Sequence, residues 1–117
     1  MPIYITQGRY TREAIKGMIV KPEDRYEALS RHVARAGARV LNYYMTFGEY
    51  DFLTVIEAPG ETQMAAVLLS AAASGGVSDL RTCLAMTSIE AKGAFAAASD
   101  LGAGLPRVGR GLNSARY

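Results

Sequence analysis

The stretch from residue 43 to residue 56 constrains the fold of this chain more than any other. It is rich in aromatic and β-branched residues, which fit a pleated and half-buried surface, and Gly48 is its single glycine. This pattern predicts two strands, at about residues 39–47 and 50–57, joined by a tight turn at Gly48. Helical patterns lie on both sides, so the two strands form the central hairpin of a small α+β domain.

The remaining segments alternate between strand and helix patterns. Alternation predicts a first strand at about residues 2–9, and Thr11 suits the cap of the helix that follows it. That crossover helix is broken at Lys21, because Pro22 disfavours helix before it and suits the first position of a new helix. Gly37 is expected to end the second piece in a left-handed conformation. Three further elements are predicted: a helix at 61–73, a strand at about 79–86 and a last helix at about 88–99, where Thr87 and Glu90 match a capping box.

This order of elements predicts a ferredoxin-like split βαββαβ fold with an extra C-terminal helix. Right-handed crossovers place both main helices on one face of a four-stranded antiparallel sheet and leave the other face bare. An aromatic, threonine-rich face is too apolar to stay in water, so we expect it to meet a second sheet in a dimeric α/β barrel with a pocket between the sheets. Alternation assigns to that face some of Tyr4, Thr6, Asn42, Tyr44, Thr46, Tyr50, Phe52 and Thr54.

Composition narrows the class of protein. The 117 residues are expected to form a single domain over 1–99, followed by a flexible tail over 100–117 that contains glycine and arginine. A net charge of +2 is too small to predict nucleic-acid binding, and neither a signal peptide nor a membrane span is expected, so we predict a cytoplasmic protein. Cys83 is the sole cysteine and His32 the sole histidine, so we expect no disulfide, no metal site and no cofactor.

The segment Gly48-Glu49-Tyr50-Asp51 carries a resemblance to a known family. Here the chain resembles the GYD domain family, a group within the dimeric α/β-barrel superfamily, over about residues 1–90. The resemblance implies the fold and dimerisation but no agreed activity, since the wider superfamily includes cofactor-free monooxygenases, lactone isomerases, haem-binding enzymes and sensing domains. Ala36 and Met86 depart from the family pattern. Further matching positions are Tyr10, Thr11, Pro22, Arg25, Gly37, Ala58, Pro59, Gly75, Gly76, Thr82 and Ala85.

Asp51 and Tyr50 are the candidate catalytic residues, because they lie together at the mouth of the predicted hairpin. A carboxylate and a phenol at a pocket mouth can act as general base and hydrogen-bond donor if burial raises the pKa of the carboxyl group. Alternatively, Asp51 caps backbone amides of its own hairpin or pairs with an arginine such as Arg25. The predicted ligand pocket combines both residues with others, namely Tyr4, Tyr44, Tyr50, Asp51 and Thr82.

Tyrosines offer apolar area with polar tips, which suits an aromatic ligand as well as it suits core or interface packing. Tyr43 and Tyr44 must face opposite ways along a strand, and Tyr44 shares parity with the polar Asn42 and Thr46.

Three functions follow as hypotheses. The first is a small-molecule-binding protein that holds its ligand between helices and sheet or between two sheets. The second is a cofactor-independent monooxygenase or isomerase acting on a phenolic or lactone substrate. The third is a structural or partner-binding oligomer. The expected partners are further copies of the chain and a small molecule, with neither nucleic acid nor membrane, and whether the protein is an enzyme stays open.

Overall fold

The computed structural model describes residues 1–104 of the chain. Residues Met1–Ala85 form one compact unit, and the last helix belongs to a second unit that starts at Met86. In chain order the elements are β1 (Ile3–Tyr10), α1 (Arg12–Val20), α2 (Arg25–Ala34), β2 (Arg39–Met45), β3 (Phe52–Glu57), α3 (Glu61–Ala73), β4 (Val77–Ala85) and α4 (Ser88–Gly104).

The four strands form one antiparallel sheet in the order β2-β3-β1-β4. This confirms the predicted α+β fold with its split βαββαβ topology. The core lies between one face of the sheet and the helices, where Val33 of α2 and Met64 of α3 are almost fully buried against Val40 and Ile56. Burial of such side chains stabilises the fold by about 1.5–3 kcal/mol each.

The predicted composition of the bare sheet face was wrong for four residues. Tyr4, Thr6, Phe52 and Thr54 are all buried, and the register pairs Tyr4 with Ile56 on the side that the helices cover. The error lies in the phase of the alternation: β1 and β3 carry apolar or β-branched residues at both parities, so alternation alone does not say which parity faces the core.

The bare face carries the side chains of the alternate residues in β1 and β3, such as Ile5, Leu53 and Val55. Asn42 and Tyr44 lie there as predicted, because they pair with Val55 and Leu53 of β3. A register shift between Val40 and Asn42 inserts one extra residue into β2 and thereby reverses the parity along that strand. Tyr43 consequently pairs with Thr54 and points to the helix side.

A second irregularity shapes β4, which begins at Val77 rather than at the predicted residue 79. The register against β1 shifts between Gln7 and Arg9, and Asp79 adopts a positive φ of 53° at the same place. A bulge of this kind re-aims the side chains next to it. Here it brings Leu80 over Gly8, where a β-carbon would lie 2.8 Å from Leu80 Cδ2.

Local capping predictions are largely confirmed. Thr11 Oγ1 accepts a hydrogen bond from Ala14 N, and Gly37 and Gly48 have positive φ values of 74° and 123°.

The predicted start of the second helix at Pro22 was wrong. α2 begins at Arg25, because the Asp24 carboxylate accepts a hydrogen bond from Tyr26 N and so caps the helix three residues later than expected.

The unit beginning at Met86 contains α4. Thr87 N donates to Glu90 Oε1 at 2.8 Å and Glu90 N donates to Thr87 Oγ1 at 3.1 Å, which confirms the capping box. These hydrogen bonds lower the pKa of the Glu90 carboxyl group. α4 continues past the predicted end at residue 99 to Gly104, since one glycine costs only about 1 kcal/mol inside a helix. The rest of the predicted tail, residues 105–117, lies outside the described residues.

Candidate functional site

A half-open cavity of about 300 Å³ lies between the sheet and helices α1, α2 and α3. Its size falls at the lower end of the roughly 300–1,000 Å³ typical of small-molecule pockets. Apolar side chains dominate the lining, and Met64 and Val67 close its base among the core residues. The remaining apolar lining includes Met18, Leu29, Phe52, Ile56, Leu68, Val77 and Leu80.

The cavity exists because the helices present small side chains to the sheet. Ala14 of α1, Ala28 of α2 and Ala71 of α3 all line it, together with Gly76 at the start of β4. No residue of α1 is fully buried, so that helix covers the sheet without filling the space beneath it. In a well-packed domain such space is filled by larger side chains, so an unfilled apolar cavity of this size is a candidate binding site.

Tyr10 and Tyr43 form the main polar group in the cavity. Their hydroxyl groups are hydrogen-bonded to each other, and their ring centroids lie 5.2 Å and 6.0 Å from that of Phe52. Burial raises the pKa of the Tyr10 phenol, and the hydrogen bond with Tyr43 raises it further. Tyr10 therefore stays protonated at neutral pH and acts as a neutral hydrogen-bonding group.

Arg25, the first residue of α2, supplies the positive charge. Its Nη1 lies 2.6 Å from Glu23 Oε1 in a partly exposed ion pair. Its Nε is buried, and within residues 1–104 no acceptor lies within hydrogen-bonding distance of it. The charge of Arg25 acts to lower the pKa of Tyr10, so the guanidinium lies close enough to influence the tyrosine pair.

His32 and Ser70 join α2 to α3 at the exposed side of the cavity. Ser70 Oγ lies 2.9 Å from His32 Nε2, and both residues contribute to the lining. Sequence analysis did not assign His32 to a pocket; it is exposed, yet it lines this cavity. Arg25, Leu29 and His32 recur at i, i+4 and i+7, so their helical spacing is a sequence signal that places all three on the same face.

The turn that carries Asp51 and Tyr50 holds the end of β1. Asp51 Oδ2 accepts a hydrogen bond from Tyr10 N at 2.9 Å, and Asp51 N donates to Gly8 O at 2.8 Å. Arg9 Nε donates to Glu49 O at 2.8 Å, and its guanidinium lies 5.7 Å from the Tyr50 ring centroid. The Asp51 carboxylate therefore anchors the Tyr10 amide of β1, whereas within its own hairpin it is the Asp51 carbonyl oxygen that accepts, from Thr46 N.

The structure does not bring the five predicted pocket residues together around this cavity. Tyr4 is a core residue, and Tyr44 lies on the bare sheet face with 55% of its surface exposed. Thr82 Oγ1 is hydrogen-bonded to Thr6 Oγ1 at 2.8 Å, while Tyr50 and Asp51 lie in the turn. A pocket between two sheets needs a second copy of the chain, so that assignment stays a prediction. Sequence analysis did not assign Tyr10 or Arg25 to a cavity, and it favoured Tyr44 over Tyr43 for the pocket.

Within residues 1–104, no group of three or more His, Cys, Asp or Glu side chains is arranged to hold a metal ion. Nor does any helix in this part of the chain have the length and apolar character needed to span a membrane.

The family follows from comparison with known sequences. The GYD domain profile matches residues 4–95, which is most of the chain. The chain belongs to the GYD domain family. It is also 31% identical over 78 residues to the glutamine synthetase and cystathionine beta-lyase binding protein of Thermus thermophilus, covering 66% of this chain and 81% of that protein. The predicted resemblance is thereby confirmed.

Solved structures agree on the fold. A transcriptional regulator from Neisseria meningitidis, solved as a complex with L-Met, superposes with a TM-score of 0.53 at 16% identity. The match covers 75% of this chain and 51% of the regulator, so the chain spans about half the length of that protein. A protein from Thermus thermophilus gives a lower TM-score of 0.49 at 20% identity, covering 75% of this chain and 96% of that one, and the fold assignment does not rest on it. Identity at this level is informative about the fold alone.

Proposed function

We propose that this GYD domain protein binds a small molecule in the cavity between its sheet and helices. The observation that carries the proposal is the lining: an apolar cavity of about 300 Å³ whose polar lining includes the hydrogen-bonded Tyr10–Tyr43 pair and Arg25. Ligand sites in proteins typically combine a mostly apolar wall with a few placed polar groups that fix the orientation of the ligand. This location is the first of the two that the sequence leaves open for a ligand.

The lining supports binding more than catalysis. Among the described residues that line the cavity there is no carboxylate, and the Asp51 side chain is occupied by the Tyr10 amide. A general base has to reach the proton that it removes within about 3 Å. The hypothesis of a cofactor-independent monooxygenase or isomerase, with Asp51 as its base, therefore stays a prediction that gains no support from this geometry.

Native mass spectrometry of protein purified from its own host tests the proposal. We expect a small molecule to accompany the wild type and to be lost from Ala71→Leu, because the larger side chain fills the cavity. Ala66→Leu is the matched control, since Ala66 lies on the exposed surface of the same helix. A ligand that stays bound to Ala71→Leu, or one that leaves both variants alike, contradicts binding in this cavity.

A second candidate function is binding to protein partners, including further copies of the chain. The Thermus thermophilus relative is named for binding two enzymes, and the bare sheet face carries the half-exposed Tyr44 together with Ile5, Leu53 and Val55. Exposed apolar surface of this kind marks interaction sites. Dimerisation through this face would form the barrel that the sequence predicts.

Sedimentation tests the second candidate. Tyr44→Glu places a charge on the bare face and is expected to convert an oligomer into monomers. Leu69→Glu is its control, because Leu69 is an exposed apolar residue of α3, on the helix side of the sheet. A wild type that sediments as a monomer at all concentrations rules out self-association, and equal effects of both variants would indicate general loss of folding.

A further inference from the structure

The polar groups of the cavity are hydrogen-bond donors that have spare capacity. Two phenols joined by one hydrogen bond use a single O–H proton between them, and the other proton is left to donate. Within residues 1–104, each of the two hydroxyl groups has the other as its recorded partner. One O–H donor of the Tyr10–Tyr43 pair is therefore available to a molecule in the cavity.

The second polar group is the Arg25 guanidinium, which carries a positive charge and belongs to a residue that lines the cavity. The Nη1 group is already directed at Glu23, and the Nε atom is buried with almost no surface open to the cavity, so Arg25 acts on a molecule in the cavity chiefly through its charge. This arrangement favours a bound anion beside the guanidinium.

The charge of the lining limits the kind of acceptor. Arg25 is the only Lys, Arg, Asp or Glu among the described residues that line the cavity. One positive charge, partly compensated by Glu23, matches a single negative charge rather than the two of a phosphate monoester. The remaining wall is apolar, so the rest of the ligand has to be hydrocarbon-like.

We infer that the cavity selects a small monocarboxylic acid with an apolar body, whose carboxylate accepts from the Tyr10–Tyr43 pair and lies beside the Arg25 guanidinium. This inference rests on the proposed binding function. A carboxylate is acceptor-only and negatively charged, so it can accept from the hydroxyl pair and also compensate the charge of Arg25, whereas a neutral amide can accept but does not compensate that charge. The apolar body then lies against Leu29, Val67 and Phe52.

Calorimetric titration of a matched ligand series tests the inference. The probes are hexanoate and phenylacetate, each compared with its own primary amide, which has the same size but no charge. We expect the wild type to bind each acid about ten- to hundredfold more tightly than its amide, as a charge-assisted hydrogen bond implies. Equal or tighter binding of the amides overturns the inference.

Two variants assign the preference to Arg25. Arg25→Gln keeps a donor but removes the charge, and it should lower the affinity for the acids by about ten- to hundredfold, so that the preference for acids is lost, with a smaller loss for the amides. Arg31→Gln is the control, because Arg31 lies on the same helix in an exposed ion pair with Glu27 at 3.8 Å. A preference that survives in Arg25→Gln, or disappears equally in Arg31→Gln, overturns the role of Arg25.

The outcome also separates this inference from the function on which it rests. If the amides bind and Ala71→Leu blocks them, the cavity is a binding site but does not select acids. If neither series binds at millimolar concentration and no molecule accompanies the purified protein, both the inference and the proposed function fail.

Discussion

Replacing Gly8 with alanine tests how tightly the aromatic cluster beneath the cavity is packed. A β-carbon at this position would lie 2.6 Å from Phe52 Cζ and 2.8 Å from Leu80 Cδ2. Carbon atoms prefer separations of about 3.5–4.0 Å, so both side chains have to move by roughly 1 Å. Phe52 is buried, with the rings of Tyr10 and Tyr43 beside it, so its displacement disturbs both tyrosines.

The expected magnitude combines two opposing terms. Overpacking a core costs about 1–3 kcal/mol, whereas replacing glycine in a strand recovers about 0.5–1 kcal/mol of backbone entropy. We therefore expect Gly8→Ala to lower the free energy of unfolding by about 1–2 kcal/mol. For a domain of about 100 residues this corresponds to a melting temperature lower by about 4–8 °C.

Gly17 provides a control in which the same substitution has the opposite sign. It lies inside α1, and a β-carbon there meets no atom within 4 Å. Alanine is favoured over glycine in a helix by about 1 kcal/mol, so Gly17→Ala should raise the melting temperature. Both variants are measured by circular dichroism during thermal and urea unfolding.

A double-mutant cycle identifies the cause of the loss. If the clash with Phe52 destabilises Gly8→Ala, the same substitution should cost less in a Phe52→Leu background, by about 0.5 kcal/mol or more. A Gly8→Ala protein as stable as the wild type would refute the reasoning. It would mean that Phe52 and Leu80 yield without displacing their neighbours.

Three further predictions concern the turn and the tyrosine pair. Gly48→Val should lower stability by about 1–2 kcal/mol through its φ of 123° alone, since its β-carbon meets nothing, and the prediction fails if its melting temperature equals that of the control Glu49→Gln. Asp51→Asn should lower stability by about 1–3 kcal/mol by weakening its bond to the Tyr10 amide; unchanged stability with loss of an enzymatic activity would instead favour catalysis. Because the pKa of Tyr10 is raised in the folded state, its contribution is fully present below about pH 10, the unfolded value, and is lost as pH rises further. Urea unfolding over this range should show a decline that is reduced in Tyr10→Phe, and an equal decline in both proteins would contradict it.

The features that were predicted correctly from the sequence are those that depend only on residues close together in the chain. The turn at Gly48, the cap at Thr11 and the capping box at Thr87 each need only a few adjacent residues, so local rules predicted them. The order of strands follows from handedness rules that apply to every crossover. These two kinds of information together are enough for the fold.

The lining of the cavity could not be predicted from the sequence, because it depends on strand phase and on packing between segments that are far apart in the chain. The phase of β1 and β3 is ambiguous because both parities are apolar, and the extra residue between Val40 and Asn42 reverses the parity of β2. As a result Tyr43, rather than Tyr44, reaches the cavity. The burial of Arg25 Nε likewise depends on the distance between α2 and the sheet, which packing of the whole unit determines.

The segment from Gly48 to Asp51 positions the end of β1 through its hydrogen bonds. Asp51 holds both Gly8 O and Tyr10 N, and Glu49 O accepts from Arg9, so the turn fixes three successive residues at the end of β1. Tyr10 is the last of them and carries the hydroxyl group that meets Tyr43 inside the cavity. The turn does not line the cavity, yet it determines where the hydroxyl pair lies. Weakening Asp51 should therefore lower ligand affinity together with stability, whereas a catalytic base would affect turnover alone.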